Sequence, residues 1–124
     1  MGKGVPGETR GPIASAQPQR SRYRICQTNP PEQFDFLSHV ARGIELRRPT
    51  PGSIDLSKGV SVWETEDQAR QLAVRLPDTG AYIAEVAIPQ GIRMERHGRA
   101  EGHWTVWAAP ELLLRWVVRV VPVR

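Results

Sequence analysis

Lys58-Gly59-Val60-Ser61-Val62-Trp63-Glu64-Thr65-Glu66-Asp67-Gln68-Ala69 is the stretch that decides the fold class. Gly59 releases a short β-branched and aromatic run that stops at Thr65. Gln68, three residues on, gives Thr65 the spacing of a capping box. The stretch predicts a strand, a sharp turn and an amphipathic helix. Such a turn lifts the strand's side chains to the mouth of a sheet, where a ligand can meet Ser61 or Trp63 from one side and the helix start from the other. Units that only pack look the same, so the stretch gains meaning only with Arg24 and His103.

Working outward toward the C-terminus, Ala69, Leu72, Ala73 and Leu76 recur at helical spacing, with Arg70 and Arg75 outward, and Pro77 with Gly80 ends the run. Ala81 to Ile88 reads as a strand with Tyr82, Ala84, Val86 and Ile88 on one face. Ile92 to Glu95 fits a short edge strand, and 97–102 a polar turn. His103 to Trp107 fits another strand, then a brief turn or helix through Leu114 and a last strand from Trp116 to Val123. Toward the N-terminus, Arg47 to Lys58 is Pro-, Thr-, Gly- and Ser-rich and predicts a connecting loop, of a length used by lids and binding loops as well as by spans. Asn29-Pro30-Pro31 predicts a helix start, with Phe36, Leu37, Val40 and Ile44 on one face and fraying near Gly43. Arg22 to Gln27 alternates like a strand, Tyr23 and Ile25 facing one way, Arg22, Arg24 and Cys26 the other. Residues 1–20 are rich in Gly and Pro and predict a disordered basic tail, leaving residues 21–124 as one domain. Strands outnumber helices, and after Gly80 no helix is long enough for a parallel crossover. The class is therefore α+β, a mainly antiparallel sheet with two helices in the first half.

Composition sets bounds on function. The chain has 124 residues and net charge +4, yet Lys3, Arg10, Arg20, Arg22 and Arg24 stand in residues 1–24 against Glu8 alone, while residues 25–124 balance at 12 basic and 12 acidic side chains. The pI near 10 thus demands no basic nucleic-acid groove in the body, although the leader could touch a nucleic acid or a partner protein. One cysteine, Cys26, excludes an intramolecular disulfide and favours a reducing compartment; it reads best as a small buried hydrophobe. No run reaches the roughly 20 apolar residues of a membrane helix, and no apolar segment follows Met1 to Gly4 as in a secretory signal, so a cytoplasmic location is expected.

Motifs are mostly negative. There is no glycine-rich phosphate loop, and His39, His97 and His103 have neither paired spacing nor a cysteine partner, so no metal site is expected. Glu64, Glu66 and Asp67 are accounted for by the positive end of the helix. Trp63, Trp104 and Trp107 near strand ends suit aromatic packing, or stacking against a planar ligand ring. Alternation lets Arg24, Ser61 and His103 each point away from apolar neighbours. Three polar residues on three strands could converge on one cleft, or stand apart on solvent faces.

From Arg22 to Val123 the chain resembles the ADP-ribosyltransferase superfamily in its small bacterial form, the type that includes RES and similar toxin domains. Tyr23-Arg24-Ile25 resembles the first-strand element that carries an NAD-holding Arg or His. Lys58-Gly59-Val60-Ser61-Val62-Trp63 is similar to the Gly-Ile-Tyr-Phe stretch of poly-ADP-ribose polymerases, and Gly102-His103-Trp104-Thr105-Val106-Trp107 to their Glu-Tyr-Ile-Val-Tyr stretch. The resemblance implies a split, strongly bent sheet and an NAD-binding protein that breaks the nicotinamide–ribose bond and passes ADP-ribose to an unknown protein or nucleic-acid acceptor. It implies catalytic roles for Arg24, Ser61 and His103, and NAD contacts from Tyr23, Arg24, Gly59, Ser61, Trp63 and Trp104. His103 stands where those polymerases place a glutamate. Imidazole can hydrogen-bond a ribose but supplies no negative charge, and Glu101 or Glu64 are the candidates to replace it. The alternative is an inactive relative that binds a protein or nucleic acid.

Overall fold

Val60 to Trp63 does form a strand, and Thr65 does cap the helix behind it. The Thr65 side chain accepts from the Gln68 amide, and the Gln68 side chain accepts from the Thr65 amide, both at 3.1 Å. The computed structural model describes residues 19–124. Six strands, β1 (Gln19–Cys26), β2 (Val60–Trp63), β3 (Tyr82–Pro89), β4 (Met94–Arg96), β5 (His103–Val106) and β6 (Val117–Pro122), make one antiparallel sheet in the order β4-β5-β2-β1-β3-β6. Three α-helices accompany it: α1 (Pro51–Ser57), α2 (Glu66–Arg75) and α3 (Pro110–Arg115). The α+β class and the antiparallel sheet are as the sequence predicts.

Strand alternation sorts the core into two clusters. Cys26, Val60, Val62, Ala84, Val86, Ile88 and Val106 face one way, covered by Phe36 and by Leu113 of α3. Ile25, Ile83 and Val123 face the other, against Ala69 and Ala73 of α2. Cys26 is fully buried, and burial pushes its thiol up to about 12, as suits an inert packing residue.

The two seams of β1 are unequal. Against β3 it pairs along its whole length, from Gln19↔Pro89 to Cys26↔Tyr82. Against β2 it has a single register pair, Tyr23↔Trp63. Beyond that pair the strands part, and the gap between them is the root of the cleft described below.

Three expectations need correction. Residues 31–44 do not form an amphipathic helix: a 3-10 turn spans Gln33–Phe36, and Leu37 is already extended. The cause is Asp35, which is 2% exposed and whose carboxylate accepts from the Gln27 amide (2.6 Å), the Thr28 hydroxyl (3.0 Å) and the Glu32 amide (3.0 Å). These bonds tie the segment to the end of β1 and stop the helix, leaving Val40 and Ile44 exposed. The connection at 47–58 is not a plain loop, because Thr50 caps α1 with Pro51 in its first turn. Finally, β1 begins at Gln19, earlier than the expected Arg22, so Gln19 and Arg20 belong to the strand and not to the tail. The rest of the expected tail lies outside the described residues.

Candidate functional site

Where β1 and β2 part, a cleft of ≈ 770 Å³ opens between the sheet, α2 and the segment that follows the 3-10 turn. Arg24, Gly59, Ser61, Trp63 and His103 all line it. The three residues singled out on three separate strands therefore share one pocket.

Each arrives for a local reason. Tyr23 and Trp63 pair across the seam, so Ser61 and Trp63 share the α2 face of the sheet, and the Trp63↔His103 pair puts His103 on that face too. Gly59 is required by close approach, since a Cβ there would collide with the side chain of Thr105. Arg24 points to the opposite face, and reaches the cleft only because the seam has opened. Its guanidinium donates from Nε to the Asp35 carbonyl and from Nη1 to the Ser61 carbonyl, each at 2.8 Å. It thus takes over for the missing β1–β2 ladder, satisfying a strand carbonyl that β1 does not reach.

Arg24 forms no ion pair among the described residues. Burial pushes it down to about 10, a direction that nearby Arg42 reinforces, and it still carries its charge at neutral pH. His103 is held at both nitrogens, with Nδ1 2.8 Å from the His97 carbonyl and Nε2 3.0 Å from Ser61 Oγ. Burial moves its imidazole below the ordinary 6.5, so it is neutral at pH 7. Trp63 flanks it, ring centroids 5.0 Å apart.

Comparison with protein-family models, with curated proteins and with solved structures gives no match.

Two residues named from the resemblance stand elsewhere. Tyr23 packs with Trp63 and Leu72 against the cluster under α2 and does not line the cleft. Trp104 is on the other face of the sheet, donating to Glu64 at 3.1 Å, with the Arg22 guanidinium 4.6 Å from its ring centroid. Neither candidate carboxylate lines the cleft: Glu64 is held by Trp104 and by Arg96 at 3.1 Å, and Glu101 is on the exposed turn. The carboxylates that do line it are Asp35, already committed to three donors, and Asp78.

His39 and Arg42 also line the cleft, and neither stands out in the sequence as a site residue. No periodicity marks them, since both belong to the segment whose helix does not form. Among the described residues no cluster of three or more metal-ligating side chains occurs, and no helix is long and apolar enough to cross a membrane. Chemically, the cleft offers a charged guanidinium, a hydroxyl bonded to a neutral imidazole, an indole wall and little free negative charge. That combination suits an anionic ligand with a planar ring.

Proposed function

We propose that this is an ADP-ribosyltransferase-like domain whose cleft binds NAD. The observation that carries the proposal is the meeting of Arg24, Ser61 and His103, from three strands, in one cleft of cofactor-sized volume. Arg24 orients the dinucleotide through its ribose or phosphate oxygens, Ser61 and Trp63 stand beside the nicotinamide ring, and His103 stands near the ribose. The glycosidic bond then breaks toward an oxocarbenium ion, which a target side chain, a nucleic-acid group or water traps. With a neutral imidazole and no carboxylate beside Ser61, the ribose receives hydrogen bonds without a counter-charge, and turnover is expected to be slow.

The same observation favours a second function, an inactive relative in which the cation-lined cleft serves to bind a phosphate-bearing or acidic partner. Following nicotinamide release and the melting temperature in NAD, with Arg24→Ala as control, separates the two. An NAD concentration a hundredfold above Kd stabilises a binding-competent protein by about 2.7 kcal/mol. A melting rise that Arg24→Ala removes, with slow nicotinamide release, supports the transferase. A rise without release supports the inactive relative, and the absence of both responses sinks the NAD proposal.

A further inference from the structure

Binding alone gives no reason for the Ser61–His103 pair to be built as it is. The His97 carbonyl can only accept, so the His103 proton resides on Nδ1. That leaves the Nε2 lone pair to accept from the Ser61 hydroxyl at 3.0 Å. A hydroxyl whose proton is aimed at a neutral imidazole, itself oriented by a third group, is the arrangement of an activated nucleophile. Arg24 completes the surroundings. Bonded to the Ser61 carbonyl and unpaired with any carboxylate among the described residues, it lends positive potential where Oγ would gain negative charge. The pair is also accessible, because both residues line the open cleft and neither is buried.

We propose that Ser61 is a nucleophile with His103 as its base, and that with NAD in the cleft Ser61 itself accepts the ADP-ribosyl group; this rests on the NAD proposal above. In the step, a bond forms between Ser61 Oγ and the ribose C1′ as the C1′–nitrogen bond to nicotinamide breaks. The electron pair of that bond leaves with nicotinamide, which departs neutral, and the Oγ proton passes to His103 Nε2. No further reactant is consumed. The product is a covalent ADP-ribosyl-serine in the cleft, formed where a carboxylate that would steady a free oxocarbenium ion is missing.

The test uses the full chain and three reagents. Incubation with NAD followed by peptide mass mapping is expected to place one ADP-ribose on Ser61 in the wild type and none in Ser61→Ala. In His103→Gln the rate falls by about a hundredfold, the lower end of what a positioned base contributes. A fluorophosphonate probe without NAD is expected to label Ser61 faster as His103 loses its proton, and NAD is expected to slow the labelling. Ser61→Cys, which retains a nucleophile in place, should keep labelling by a thiol reagent that NAD suppresses. If neither NAD nor the probe touches Ser61 while NAD still raises the melting temperature, the nucleophile is overturned and NAD binding stands. If the probe labels Ser61 but NAD gives no protection, adduct or melting rise, the NAD proposal and the ADP-ribosyl step fall together.

Discussion

β1 is zipped to β3 by eight register pairs and joined to β2 by one, and the contrast separates what holds the molecule together from what it can do. On the β3 side Ile83, Ala84, Val86 and Ile88 are buried and nothing is left for a ligand. On the β2 side the backbone of Ser61 has lost its neighbour, a guanidinium fills in, and the polar groups of the cleft gather around it. A sheet that paired fully on both sides would be more regular, and it would have no cleft.

Breaking the closed seam should cost most. Ile83 is 1% exposed and packs under α2 with Ile25 and Ala73, so Ile83→Ala removes buried methylenes and leaves a cavity. The expected loss is about 2–5 kcal/mol in chemical denaturation, with NAD-dependent signals falling only as the folded fraction falls. A loss below 1 kcal/mol would mean that the β3 side is not the structural half.

Breaking the open seam should cost less stability and more function. Arg24→Ala leaves the Ser61 and Asp35 carbonyls without their donors, about 1–3 kcal/mol in the same denaturation assay. Arg24→Lys restores the charge but cannot reach two carbonyls in the geometry of a fork, so it should recover part of any ligand response and little of the stability. Equal recovery of both would show that the guanidinium's shape is irrelevant to the seam.

The same contrast explains what the sequence makes legible. Strand β2, the Thr65 cap and helix α2 depend on residues within a dozen positions of one another, and they emerge with nearly the expected bounds. Alternation correctly turns Arg24 away from Tyr23 and Ile25. What alternation cannot show is that the seam opens beside it, because that depends on how far β1 and β2 stay paired. The helix expected over 31–44 fails for a tertiary reason, the return of the Asp35 carboxylate to Gln27 and Thr28. With it goes any sequence signal for His39 and Arg42. Helix α1 hides because Ser53, not a glutamate, closes its capping box with Thr50, and Pro-Gly beside it looks like a turn. Tyr23 and Trp104 neighbour Arg24 and His103 in the chain but stand off the cleft, because adjacent residues on a strand face opposite ways.

A finer probe of the open side is the cap on α2. Thr65→Ala removes the acceptor for the Gln68 amide and should cost about 1 kcal/mol of stability. The Gln68 side chain also fills the space over Gly102, whose φ of +80° only glycine adopts easily and which leads directly into His103. Loosening Gln68 should therefore raise amide exchange across 97–103 more than across β3. Uniform exchange changes would sever the cap from the His103 turn.

The smallest effect expected is the dependence of stability on pH, because the His103 ring is only partly buried and its bond to the His97 carbonyl offsets some of the push from burial. Burial lowers the folded-state pKa below 6.5, so between those two values the unfolded chain binds more protons than the folded one. Stability contributed by the neutral ring is thus complete above pH 6.5, falls as the pH drops toward the folded-state value, and changes no further below it. Thermal melts from pH 8 to pH 5 should show this decline in the wild type. His103→Gln, which keeps a hydrogen-bonding side chain but cannot titrate, should show a shallower one. Identical slopes would mean that the ring is not held neutral between the His97 carbonyl and Ser61, and Ser61 would then lack the base that its activation requires.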